Sequence, residues 1–190
     1  MTAEPGAAVV AYPGGFRARW RWGGSGGAAD VFALSEIGGV LSDHGLLAAA
    51  EPDAVCRAEL RVEGPAGTWT ARFASTIFDE PSALVWDTAG LFVVAYGFHS
   101  YGLGARGGEL RWQHRSATPL LAVLGSSRLR HVIAQSELET FAIEADGSVA
   151  WRVAHSDVVT NAELVGGRLV LTSYAGALST LDPATGRRAP

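Results

Sequence analysis

A glycine-containing turn followed by tryptophan occurs three times at nearly one spacing, and no other feature limits the fold of this chain so tightly. The copies are Gly64-Pro65-Ala66-Gly67-Thr68-Trp69, Gly107-Gly108-Glu109-Leu110-Arg111-Trp112 and Asp146-Gly147-Ser148-Val149-Ala150-Trp151, with the tryptophans about 43 and 39 residues apart. That step is the length of a four-stranded propeller blade. A second marker, a short apolar strand upstream of each tryptophan, repeats at roughly the same period. It reads Gly45-Leu46-Leu47-Ala48, Gly90-Leu91-Phe92-Val93-Val94, Arg130-His131-Val132-Ile133-Ala134 and Arg168-Leu169-Val170-Leu171. Two markers in one register define four units, about residues 29–72, 76–115, 118–155 and 156–188.

The clearest copy is residues 164–188, LVGGRLVLTSYAGALSTLDPATGRR, which reads as strand, turn, strand, turn. Gly166-Gly167 and Ala175-Gly176 mark hairpin turns. In Asp182-Pro183-Ala184-Thr185-Gly186, Asp and Pro start a tight turn and Gly supplies the positive φ that ends it. Each unit is expected to hold an inner strand, a second, an alternating third and an outer strand bearing the tryptophan. The third strands, such as residues 57–62 and 138–143, alternate with the period of two that buries one face. The second unit is less regular, because residues 97–108 (GFHSYGLGARGG) are rich in glycine and read as a loop.

The fourth unit carries no outer tryptophan strand, whereas Phe16-Arg17-Ala18-Arg19-Trp20-Arg21-Trp22 alternates and has no evident partner in the first unit. The expectation is that residues 16–22 complete the last unit and so cover two exposed sheet edges. The fold class is then all-β: a small or partial β-propeller of about four four-stranded blades, closed by an N-terminal strand. Residues 1–28 supply that strand and a Gly/Ser link, and residues 29–190 form one domain.

The repeats resemble the PQQ-like (quinoprotein-type) β-propeller repeat, whose unit ends in a turn of the form L-D-x-x-T-G-[KR] before an outer-strand tryptophan. Leu181-Asp182-Pro183-Ala184-Thr185-Gly186-Arg187 matches that turn, while residues 143–151 and 108–112 match more loosely. The likeness covers residues 80–188 well and 30–75 weakly. It implies that Trp69, Trp112 and Trp151 pack between neighbouring blades and that Asp182, Thr185 and Gly186 shape a repeat turn. Four units are half of a full quinoprotein ring, so the chain closes small, stays open, or joins a second copy as a homodimer that completes a larger ring.

Composition narrows function mainly by exclusion. All fifteen basic side chains are arginine, so chemistry that needs a lysine Schiff base or a P-loop lysine is excluded. The net charge of −4 argues against a surface for nucleic acid or an anionic membrane, which would need clustered cations. The single cysteine, Cys56, provides neither an internal disulfide nor a multi-thiolate metal site. No stretch reads as a signal peptide or membrane span, which sets a cytoplasmic location as the expectation.

No sequence motif concentrates catalytic chemistry. Gly23-Gly24-Ser25-Gly26-Gly27 formally fits G-x-S-x-G but lacks the strand–turn–helix setting of a nucleophile elbow, and reads as a linker. Ser42-Asp43-His44 holds triad residue types, but sequence neighbours cannot form a triad. Val85-Trp86-Asp87 is a lone W-D pair ahead of the second strand. Quinone-dependent dehydrogenation, which the resemblance would import, lacks an adjacent cysteine pair and a calcium-binding constellation, so no cofactor is expected.

Two residue groups are candidates. Phe98, His99, Tyr101 and Arg106 lie in the glycine-rich segment, an aromatic-plus-arginine mix suited to a contact loop. The alternative is that Phe98 and Tyr101 pack on the sheet beneath. His114 and His155 follow repeat tryptophans, and with Asp157 and Glu163 they could meet at a channel mouth as mixed nitrogen and oxygen ligands. Loop histidines held by ordinary hydrogen bonds are the competing reading. The function expected is a non-enzymatic protein-interaction module whose rim loops contact a protein partner. The alternative is a small-molecule- or metal-binding domain, hydrolytic if an enzyme, with its site at the channel mouth.

Overall fold

The computed structural model describes residues 6–23, 46–47, 56–77 and 79–189. Most of the 23–27 linker and the Ser42-Asp43-His44 run lie outside the described residues. The chain divides into two compact units, one within Met1–Pro81 together with Arg106–Gly108, the other Ser82–Ala105 together with Glu109–Pro190.

The first unit holds one sheet. Strands β1 (Gly6–Tyr12), β2 (Phe16–Gly23), β3 (Leu46–Leu47), β4 (Cys56–Gly64) and β5 (Gly67–Ser75) lie in the order β1-β2-β4-β5-β3. Alternation decides which face is covered. Ala18, Trp20 and Trp22 of β2, Ala58, Leu60 and Val62 of β4, and Trp69, Ala71 and Phe73 of β5 are all buried. The other face carries charge, where the Glu59 carboxylate takes hydrogen bonds from Arg21 (2.5 Å) and Arg72 (3.2 Å), one from each neighbouring strand.

This sheet corrects two expectations. Residues 16–22 do not complete the last repeat, since β2 pairs with β1 on one edge and with β4 on the other, from Arg17↔Glu63 to Gly23↔Arg57. The physical reason is complementarity in register. Trp20 and Trp22 face the same side as Leu60 and Ala58, while the arginines meet Glu59 and Glu63 of the facing strand. Arg19 and Arg21 therefore serve ion pairs inside a sheet. Leu46–Leu47, read as an apolar strand of a repeat blade, forms a two-residue strand parallel to β5.

The second unit holds three antiparallel sheets, each a simple meander. The first contains β6 (Ser82–Trp86), β7 (Leu91–Tyr96), β8 (His99–Gly104) and β9 (Leu110–Arg115). The second contains β10 (Leu120–Leu124), β11 (Val132–Ser136), β12 (Glu139–Ile143) and β13 (Val149–Ala154). The third contains β14 (Val159–Val165), β15 (Arg168–Ser173) and β16 (Leu178–Leu181), with a bridge from Leu181 to Arg188. Val93, Ala95, Val132, Ala134, Phe141 and Ile143 join one apolar cluster between the first and second sheets. Ile133, Val159, Leu169, Leu171 and Leu181 join another between the second and third. Sheets apolar on both faces and stacked in chain order make this part of a β-propeller, with β6, β10 and β14 innermost.

The tryptophans join each sheet to the next. A Cβ on Gly147 (φ 89°) would lie 2.6 Å from Trp112, and one on Gly186 (φ 70°) would lie 2.5 Å from the Trp151 ring. Within the first unit, a Cβ on Gly108 (φ 72°) would meet Trp69 at 2.4 Å. These glycines are required twice over: their backbone is left-handed, and an indole occupies the place of the missing side chain. The Gly147-to-Trp151 stretch therefore serves two junctions, its glycine receiving Trp112 and its own tryptophan reaching onward to Gly186. His114 and His131 reinforce the pattern by donating from Nε2 to the carbonyls of Gly147 (2.6 Å) and Pro183 (2.7 Å).

The segment read as a loop, residues 97–108, contains β8, which is buried along its whole length. Its glycines create room. Trp112 lies over Gly102, where a Cβ would come within 2.2 Å of the ring.

Gly147→Ala should cost about 2–5 kcal/mol, combining about 1–2 kcal/mol for the left-handed backbone with about 1–3 for overpacking. Gly166→Ala also sits at positive φ but meets open space, and should cost only the backbone part, about 1–2 kcal/mol. Urea unfolding of the two variants beside wild type checks the difference, and equal losses would remove the docking role of Trp112.

Candidate functional site

At one end of the second unit the connection from β13 to β14 and the β15–β16 turn form a continuous rim. Tyr174 donates its backbone N–H to the Val158 carbonyl at 2.7 Å, and Val159 donates to Glu137 at 2.7 Å. Asp157 organises this rim from its centre. Its Oδ1 accepts the Val158 N–H at 2.8 Å and its Oδ2 accepts the Ala175 N–H at 3.4 Å. A hydrogen bond from the Ser173 hydroxyl, with backbone N–H groups in support and partial desolvation in opposition, holds the Asp157 carboxyl below its ordinary range. Gly176 takes φ 79° and closes the turn.

This framework displays apolar side chains to solvent. Tyr174 is 82% exposed, Leu178 71% and Val158 36%. A large aromatic on a hydrogen-bonded turn is held ready, so contact through it costs little ordering entropy. Beside this rim a cavity of about 420 Å³ is lined by His155, Asp157, Ser173, Ser179, Leu181 and Arg188, among others.

His155 belongs to a polar chain that runs across the second sheet, from the end of β13 through β12 to β11. Its Nε2–H donates to Thr140 Oγ1 (2.6 Å), the Thr140 hydroxyl donates to Gln135 Oε1 (2.5 Å), and Gln135 Nε2 donates to the Ser136 carbonyl (2.6 Å). Burial first, and the nearby Arg188 second, push the His155 pKa down, while Glu139 opposes them.

Of the four channel-mouth residues expected, the structure brings together His155 and Asp157. His114 is hydrogen-bonded at the β12–β13 hairpin, and His155 follows the far end of the six-residue β13. A strand of that length spans about 20 Å, too far for shared ligation. Glu163 is exposed on β14 and accepts from Asn161 at 2.9 Å. Among the described residues no group of three or more His, Cys, Asp and Glu side chains is gathered as for a metal.

The other candidate group separates as well. His99 and Tyr101 are buried in β8 with their rings stacked 5.9 Å apart, and Phe98 is half-buried with the Arg115 guanidinium 5.6 Å from its ring centre. Tyr101 lies in β8, which pairs with β7 and β9 on its two edges, and Phe98 precedes it, an arrangement that matches the packing alternative for these two. Arg106 alone is exposed. Tyr174 and Leu178 carried no strong sequence signal; the one available was two large apolar residues flanking an Ala-Gly turn, where polar residues are usual.

Comparison with known proteins agrees with this geometry. Residues 99–189 match the PQQ_2 family model, described as "Outer membrane protein assembly factor BamB". Over these residues the chain is similar to PQQ-like β-propeller repeats. Among solved structures, BamB from Moraxella catarrhalis is similar at 19% identity and a TM-score of 0.50, over 70% of this chain and 41% of that one. The computationally designed Ika8 protein is similar at 11% identity and a TM-score of 0.52, over 70% and 45%. The designed Ika4 protein follows at 12% and 0.50, over 57% and 69%. At these identities the likeness is one of fold, and the chain spans less than half the length of the BamB structure. No curated protein sequence matches the chain. Among the described residues no helix is long and apolar enough to cross a membrane.

The His155 shift has a definite sign. Its folded pKa lies below the unfolded value near 6.5, so its contribution is complete above about pH 6.5 and is lost as pH falls through the lowered folded pKa. His155→Gln should flatten that part of the melting-temperature profile between about pH 7.5 and 5.5. Asp157 acts lower: its contribution is complete above about pH 4 and is lost as pH falls through its depressed folded pKa. Asp157→Ala should speed amide exchange at Val158 and Ala175 at neutral pH, and unchanged exchange would deny the carboxylate its organising role.

Proposed function

We propose that the chain is a non-enzymatic interaction module of PQQ-like propeller type, and that the rim around Tyr174 is its contact surface for a protein partner. The observation that carries this reading is the exposure of Tyr174, Leu178 and Val158 on a turn fixed by Asp157. Interface centres are enriched in such aromatics, especially on ordered backbone. The matching family's description as an assembly factor is compatible with a module that works by contact. A cytoplasmic location belongs to the same proposal, and fractionation of the native cells is its check.

Affinity capture on the tagged chain should recover a partner with wild type, and Tyr174→Ala with Leu178→Ser should reduce recovery by about tenfold or more. Unchanged circular dichroism would establish that the double variant keeps its fold. Full recovery by that variant would exclude this rim as the contact.

A second reading concerns the adjoining cavity, where His155, Asp157, Ser173 and Arg188 offer donors and acceptors to a small polar ligand. A thermal-shift screen separates the two readings: stabilisation by a small ligand that His155→Gln abolishes would favour the cavity over the rim. Completion of a larger ring by a second copy is also proposed. Light scattering at two concentrations should then show mass rising toward the dimer.

A further inference from the structure

The opposite end of the second unit carries an excess of unpaired arginine. Five arginines elsewhere meet carboxylates: Arg21 and Arg72 on Glu59, Arg19 on Glu63, Arg111 on Glu109 and Arg152 on Glu139. Arg128, Arg130, Arg168, Arg187 and Arg188 are all exposed, and among the described residues none of the five forms an ion pair. They are not scattered. Arg168, Arg187 and Arg188 line one cavity of about 580 Å³, and Arg128 and Arg130 line another of about 480 Å³. The two cavities share Thr185, so they follow one another along the turn after β16.

The carboxylates at this end do not neutralise them. Asp182 turns its Oδ1 to the Ala184 N–H (2.8 Å), and Asp146 is occupied by the Ser148 N–H and hydroxyl (2.8 and 2.6 Å). Glu144 is the one carboxylate lining the second cavity. Leu129, Ala150, Trp151 and Ala184 line the same cavity as Arg128 and Arg130 and give it an apolar strip.

We infer that this groove is a docking site for an extended acidic segment of a protein partner, with Asp or Glu side chains meeting the arginines and small apolar side chains resting on the strip. Arginine suits this role because its planar donors match a carboxylate in pairs. The apolar strip favours a peptide over a bare polyanion, which would bury nothing against it. The net charge of −4 opposes a long nucleic acid but not a short acidic segment held locally. Arg188 also lines the cavity beside the Tyr174 rim, whereas Arg128, Arg130, Arg168 and Arg187 do not, and the inference rests on those four without the rim.

The test is fluorescence anisotropy with the full chain and a labelled peptide of Glu and Asp alternating with Leu and Ala. Controls are the same peptide with Lys for the acids, an oligothymidylate and inorganic polyphosphate. The expected result is saturable binding of the acidic peptide that weakens several-fold from low to physiological salt. Arg130→Glu with Arg168→Glu should weaken it by about tenfold or more, while Tyr174→Ala binds as wild type. A second readout needs no variant: amide exchange over residues 182–188 should slow when the acidic peptide is present. Absence of saturable binding, indifference to the charge reversals, unchanged exchange, or tighter binding of the oligonucleotide or polyphosphate would each overturn the inference.

Discussion

The structure depends on an indole laid against a glycine of the next hairpin. Burying a tryptophan side chain removes about 150–250 Å² from water, worth about 4–6 kcal/mol at ~25 cal/mol per Å². Trp112 is buried and Trp151 nearly so, yet neither indole N–H finds an acceptor among the described residues. Their hold comes from ring area and fit, so each forgoes a hydrogen bond that a buried tryptophan usually makes. The receiving glycines accept that fit because a left-handed backbone turns the hairpin toward the ring. The histidine bonds to Gly147 and Pro183 then fix the hairpin carbonyls beside the same rings.

That junction explains how much of the fold was legible in the sequence. Gly147 and Gly186 lie 39 residues apart, as Trp112 and Trp151 do, because each glycine meets the tryptophan of the sheet before it. The strands and turns of residues 159–188 were readable for the same reason: Gly166, Gly167, Gly176 and Gly186 all adopt positive φ where the sequence places turns. Strand β8 was not readable. Five of the residues in 97–108 that suggested a loop are glycines, but Gly102 is there so that Trp112 can lie across the strand, a requirement visible only in three dimensions. The partner of β2 was misassigned because alternation reveals a strand's faces without naming its neighbour. The decisive fact, Glu59 between Arg21 and Arg72, depends on register.

The candidate site was less legible still. Asp157 drew notice as a ligand for metal, and its actual service is to bind the N–H groups of a turn. His155 drew notice for the same reason, and its imidazole belongs to a buried chain through Thr140 and Gln135. Both residue types carry their chemistry openly in a sequence, but the use made of it depends on which groups the sheet stacking places within reach. Tyr174, the most exposed large hydrophobic side chain among the described residues, ends the apolar run 168–174 in the sequence.

Because one pentapeptide faces two junctions, its internal length is fixed from both sides. Adding or removing a single residue between Gly147 and Trp151 would turn the ring to the opposite side of its strand while leaving the preceding socket in place. Growth or shrinkage of such an array by small insertions is therefore closed at these five positions. The route left open is gain or loss of an entire sheet, cut at the same place in two successive copies, which leaves every ring with a socket of the correct hand.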